Sequence, residues 1–291
     1  MGRGSYTASD WSRLRESRKI DKGSVNEIFR ARKMDDRFNP RFIDKREARD
    51  CEEHPNSTPI AIGVDVTGSM GYLSEEIIKN SLNELMKKLY STNLVEDPQL
   101  MFAAIGDASD DDAPLQVTQF ESDIRIAEQL MDLWIEGSGG DSPEDYQLLW
   151  YFISRHTEID SFSKRQKKGF CFTIGDAPFH QGLYSNDIKK IFDDDCRDLK
   201  TKTLADEAGE RYHLFHIDLN CGFESAAMYI PGHVLSMKPS EIKYLPEVIV
   251  AAIQLTNGMS RKDILGPLDF SSKRVVEEAI RKLSVGKKFQ L

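Results

Sequence analysis

The pattern of apolar and polar positions changes near residue 58. Before it, apolar residues are scattered among charges without a sustained period, so residues 1–57 read as a polar arm that buries little on its own. Within the arm short helices are expected, for example around Ser24–Lys33. The run His-Pro-Asn-Ser-Thr-Pro at 54–59 punctuates the boundary. Beyond it, Ile60-Ala-Ile-Gly-Val64 is a continuous apolar run ending in Asp65, the signature of a strand buried on both faces. Glu75–Tyr90 carries Ile77, Ile78, Leu82, Leu85, Met86 and Leu89 on a helical stripe. Leu100–Ile105 predicts a second strand, and Leu115–Phe120 alternates like an edge strand. Ile124–Trp134 and Glu144–Arg155 read as helices. Lys168–Ile174 predicts a third buried strand, Asn186–Ala208 a helix, Arg211–Ile217 a fourth parallel strand and His233–Met237 a last short one. Pro246–Leu255 starts with proline in its first turn and stops before Asn257-Gly258. Further on, Ser272 is placed to cap a helix bearing Val275, Val276, Ala279, Ile280 and Leu283.

Strands alternating with helices predict an α/β fold: a doubly wound, mostly parallel central sheet flanked by helices, Rossmann-like. This domain occupies 58–257, with 258–291 as a C-terminal helical extension. In such sheets ligands gather outside the carboxyl ends of the strands, at the topological switch point.

Charge narrows the partners. The 291 residues carry a net charge of -9, which disfavours nucleic acid. The arm differs: residues 1–55 hold 14 Lys and Arg against 11 Asp and Glu, and such mixed signs suit a docked or solvated segment. The four cysteines share no Cys-x-x-Cys spacing and read as reduced thiols. The amino terminus lacks the apolar core of a signal peptide, and no apolar stretch approaches the ~20 residues that span a bilayer. A cytoplasmic protein without membrane attachment is the expectation.

The candidate chemistry sits where strands end. Asp65-Val-Thr67-Gly-Ser69 follows the first strand and puts a carboxylate and two hydroxyls on one tight loop. These are hard oxygen donors of the kind that suit Mg²⁺ or Mn²⁺. Asp107 follows the second strand, in a run with Asp110–Asp112 that reads as a solvated acidic loop. Asp141 follows two glycines and opens the next predicted helix, with Pro143 in its first turn; as a helix cap it is equally well placed. Asp176 follows the third strand, and His180 lies near the same edge as a candidate partner contact. His213 and His216, three apart on a strand, face opposite sides.

Asp65-x-Thr67-x-Ser69 after an apolar strand resembles the metal-ion-dependent adhesion site of von Willebrand factor A domains, over roughly 58–256. The resemblance implies one divalent cation, Mg²⁺ or Mn²⁺, held by Asp65, Thr67, Ser69, Asp141 and Asp176, and a protein partner bound at that edge. Asp141 stands where the family carries a threonine. With three carboxylates around a divalent cation, an acidic partner group is disfavoured, and a hydroxyl, carbonyl or water completes the ion's shell more readily. The reading is thus a non-enzymatic, metal-dependent interaction module, with the two extensions available for a larger assembly. The alternative is a structural subunit with a vestigial or permanently occupied site. A metal-dependent phosphatase is less favoured, because Thr67 stands where an Asp-x-Asp acid/base group would be needed, and neither a phosphate-binding Gly-x-x-x-x-Gly-Lys loop nor a Gly-x-Ser-x-Gly elbow is present.

Overall fold

Eight consecutive residues, Thr58–Asp65, form strand β1 at the centre of the sheet, and seven of the eight are buried. The structure, a computed structural model, describes residues 4–91, 94–137, 143–219 and 223–284. The other sheet strands are β2 (Pro98–Ile105), β3 (Leu115–Val117), β4 (Gly169–Gly175), β5 (Tyr212–Asp218) and β6 (Val234–Ser236). Their order is β3-β2-β1-β4-β5-β6, with β3 alone antiparallel. This is a doubly wound, Rossmann-like sheet. The winding reverses between β1 and β4, so the switch point lies beside the carboxyl end of β1. Register brings the strand ends level: Asp65 lies opposite Ile105, Val64 opposite Ile174 and Gly175 opposite Asp218.

Because side chains alternate along a strand, β1 feeds two cores. Ile60, Ile62 and Val64 join one cluster with Leu85, Leu89 and the helix Leu245–Thr256. Ala61 joins the other with Met101, Cys171 and the helix Gln147–Arg155. That helix lies close to the sheet: a Cβ on Gly63 would overlap the Leu149 and Ile105 side chains. The run after the Asp65 loop is helical from Gly71 to Ser91 but passes through a π-type turn at Ile77–Ser81. Among the described residues no helix is long and apolar enough to cross a membrane.

The arm is docked. Trp11, Leu14, Ile20, Ile28, Phe29 and Phe38 are buried in the first core, and Arg46–Ala48 pairs in parallel with Thr157–Ile159. Scattered apolar residues therefore suffice where a preformed surface receives them. The arm helix expected around Ser24–Lys33 is confined to Val25–Ile28.

Three other elements differ from their sequence pattern. The helix expected from Glu144 begins at Gln147, so Pro143 is not in its first turn. Glu144 instead pairs in extended form with Phe179, its N–H donating to Pro178 O at 2.8 Å and its carbonyl accepting from His180 N at 3.2 Å. The stretch 186–208 is two helices, Ser185–Phe192 and Thr201–Arg211. Asp193 ends the first in the left-handed region (φ 60°), and the run of aspartates that follows bonds outward: Asp194 accepts from Tyr151 Oη at 2.6 Å and Asp198 from Ser185 N at 2.8 Å. The last helix, Phe270–Ala279, is capped by Asp269 rather than Ser272, since the aspartate side chain accepts from the amides of Ser271 and Ser272. Its apolar stripe, Val275, Val276 and Ala279, is buried within the chain.

Candidate functional site

Asp65 is the last residue of β1 and is buried. Its Oδ1 accepts from the amide of Thr67 at 2.9 Å and from the Thr67 hydroxyl at 2.6 Å. Its Oδ2 accepts from the Tyr146 hydroxyl at 2.8 Å. The tight loop Asp65-Val-Thr67 thus folds back on the carboxylate that starts it. Tyr146 reaches Asp65 across the end of β4, where only glycine fits: a Cβ on Gly175 would collide with the Tyr146 hydroxyl. The same hydroxyl accepts from Ala177 N at 3.3 Å.

Glu144 closes the group. Its Oε1 lies 3.1 Å from the Thr67 hydroxyl, while its Oε2 is buried and has no hydrogen-bond partner among the described residues. The Thr67 hydroxyl owns a single proton. If Asp65 takes it, the contact with Glu144 needs a proton on Glu144. Burial, with the Asp65 charge beside it, pushes the Glu144 carboxyl up to about 8, so the protonated form is present at neutral pH. Burial also raises Asp65, to about 6, against the lowering effect of the Thr67 and Tyr146 hydrogen bonds; the Asp176 charge adds to the rise. Tyr146 is held well above its ordinary value by burial and by the Asp65 charge.

A second group lies behind the first. Asp107 and Asp145 are only 3% and 5% exposed, and their carboxylate oxygens and a His180 ring nitrogen all lie within 4.8 Å of one another. The Asp107 run is therefore only in part the solvated loop its composition predicts: Asp110 and Asp112 are exposed, whereas Asp107 and Asp111 are buried. Asp107 Oδ1 accepts from the amides of Ser109 and Asp110, and Asp111, itself buried, accepts from the amide of Asp107 at 2.7 Å. Carboxylates that satisfy their own loop's amides can leave water. Asp145 Oδ2 accepts from Ala108 N at 2.9 Å, and its Oδ1 from the Gln147 side chain. Burial raises Asp145 to about 6.

Of the five expected metal ligands, Asp65 and Thr67 meet directly, and Asp176 is near enough for its charge to act on Asp65. The Ser69 side chain and the whole of Asp141 lie outside the described residues. Glu144, Asp145 and Tyr146 belong to the site without having been picked out as ligands. They lie where the chain passes from the extended residue Glu144 into the helical turn at Tyr146. Glu144 and Tyr146 meet the Asp65 loop, while Asp145 between them meets Ala108 and Asp107. Among the described residues His213 and His216 join no cluster of metal-ligating groups; burial lowers their rings to about 4 and about 3, and His216 bonds Thr173 at 2.9 Å. Cys51, Cys171 and Cys196 are free thiols, and Cys221 lies outside the described residues.

No family model matches the sequence, and no curated protein matches it. Two similar solved structures are both of the pilus adhesin SpaC from Lactobacillus rhamnosus GG, one in an open conformation. They show 9% and 8% identity and TM-scores of 0.45 and 0.47. The matches cover 74% and 72% of this chain, which spans 31% of each adhesin chain. The site therefore stands on its own geometry.

Proposed function

We propose that this chain is a von Willebrand factor A-type interaction module that binds one divalent cation, Mg²⁺ or Mn²⁺, at the switch point and engages a protein partner there without catalysing a reaction. One observation carries the reading: Asp65, Thr67 and Glu144 converge in a buried position, and one Glu144 oxygen there has no donor among the described residues. Buried carboxyls that lack a counter-charge cost several kcal/mol per ionised group, and a cation removes that cost. The donors are all oxygens, which suits a hard ion. Asp65, Thr67 and Asp176 would hold it, with Ser69 and Asp141 added by the sequence pattern. When bound, the ion supplies a Lewis-acid contact for one donor atom of the partner. The chain's own residues do the rest: Tyr146 fixes one Asp65 oxygen and the Thr67 amide fixes the other. With Asp65, Asp176 and, from the sequence pattern, Asp141 around it, the ion keeps no net positive charge, so the partner's donor is a hydroxyl or carbonyl rather than a carboxylate.

The test is calorimetric titration of Mg²⁺, with Mn²⁺ beside it, into chelator-treated full chain and into Asp65→Ala. Saturable one-to-one Mg²⁺ binding, lost in the variant, is expected. A folded wild type that takes up no Mg²⁺, or an Asp65→Ala chain that binds as well, refutes the reading.

A further inference from the structure

We propose that Asp107, Asp145 and His180 form a second metal site, of mixed nitrogen and oxygen donors, that takes a borderline transition-metal ion such as Zn²⁺. It shares no ligand with the Asp65 site. The three residues come from three separate segments: the turn after β2, the lead-in to the helix Gln147–Arg155 and the loop after β4. His180 is pinned on both sides, its N–H donating to Glu144 O at 3.2 Å and its carbonyl accepting from the Thr201 hydroxyl at 2.5 Å.

The charge balance points to a cation independently of this convergence. Two carboxylates are buried side by side, yet among the described residues neither is within ion-pair distance of a lysine or arginine. Asp145 has only neutral donors, the Ala108 amide and the Gln147 side chain. Asp107 has the neutral amides of Ser109 and Asp110 on Oδ1, and on Oδ2 the His180 ring at 3.4 Å, beyond the length of a good charge-assisted bond. An imidazole with two carboxylates suits Zn²⁺ or a neighbouring first-row ion better than Mg²⁺.

The dimensions also agree. A tetrahedral zinc, roughly 2.0–2.2 Å from each donor, holds its ligand atoms about 3.3 Å apart. Asp107 Oδ2 and His180 Nε2 already lie 3.4 Å apart. The whole set lies within 4.8 Å, so rotation of one carboxylate closes the site. The His180 side chain is 32% exposed, which gives the ion a way in and leaves a fourth position for water or a partner's side chain.

Co²⁺ titrated into chelator-treated full chain, followed by its visible absorption and by displacement with Zn²⁺, tests the site. One Co²⁺ with an intense low-symmetry band, displaced by Zn²⁺, is expected. Binding persists in Asp65→Ala, which separates this site from the Mg²⁺ position. His180→Ala, a change at a partly exposed ring, weakens binding at least about tenfold and alters the band, and Asp145→Asn weakens it similarly. The proposal is overturned if folded wild type binds no Co²⁺. It is equally overturned if His180→Ala leaves affinity and spectrum unchanged, or if Asp65→Ala abolishes binding that His180→Ala retains.

Discussion

Tyr146→Phe removes one oxygen from the centre of the site and leaves the buried ring in place. The lost hydroxyl donates to Asp65 Oδ2 at 2.8 Å and accepts from Ala177 N at 3.3 Å. A hydrogen bond to an ionised carboxylate contributes about 1.5–3 kcal/mol, and the longer bond from the Ala177 amide, left without its acceptor, adds about 1 kcal/mol. Ionised Asp65 thus makes the variant about 3 kcal/mol less stable. Asp65 titrates near 6 in the folded chain. At pH 5 it is mostly protonated, its bond to Tyr146 joins two neutral groups, and the expected loss falls to about 2 kcal/mol. Urea unfolding of wild type and variant in chelator, at pH 8 and pH 5, reads both numbers. A loss under about 0.5 kcal/mol at pH 8, or one larger at pH 5 than at pH 8, would falsify the account of Tyr146 as the donor that steadies ionised Asp65.

Three further outcomes are expected. Gly175→Ala drives a methyl group into the Tyr146 hydroxyl; a loss of about 1–3 kcal/mol in thermal or urea unfolding is expected, and a neutral result would show that the tyrosine has room to move. The folded pKa of Glu144 lies near 8, above its ordinary 4.5, so in that window the native state holds a proton that the unfolded state has released. Stability of the metal-free chain therefore falls as pH rises from about 6.5 to about 8, and Glu144→Gln flattens that slope. Below that range His213 and His216, kept neutral by burial, act in the opposite sense, so the midpoint is to be followed between 6.5 and 8; a rise there contradicts the assignment. Asp269→Ala removes the cap of the last helix and lowers stability by about 1 kcal/mol, whereas Ser272→Ala, which leaves the Asp269 cap on the Ser271 and Ser272 amides, changes it less.

The sheet was legible because burial on both faces leaves an unbroken apolar run, as at Ile60–Val64 and in β4, and few other structures need one. Asp65 and Thr67 were legible for a related reason: a carboxylate and a hydroxyl placed just after such a run fall at a strand's carboxyl end wherever the sheet is parallel. Glu144, Asp145 and Tyr146 were not. They span a change from extended to helical backbone within three residues, too short to register as a period, and a proline followed by a glutamate imitates the start of a helix. Asp107 was misread by composition. Four acids within six residues suggest water, but loop amides and the Asp111 carboxylate satisfy one another and allow two of the four to be buried. The docking of the arm was also invisible, since Trp11, Phe29 and Phe38 are too widely spaced to form a stripe and find their place only on a surface made by residues far along the chain.

That shared core bears on how the protein is made. Trp11 near one end and Leu283 near the other lie in a single cluster with β1. During synthesis the arm and the central strand leave the ribosome well before the helix Phe270–Ala279. Until that helix emerges the seats of Val275, Val276 and Ile280 stay open, so a chain cut short ahead of it carries exposed apolar surface and is a client for chaperones rather than a smaller working domain.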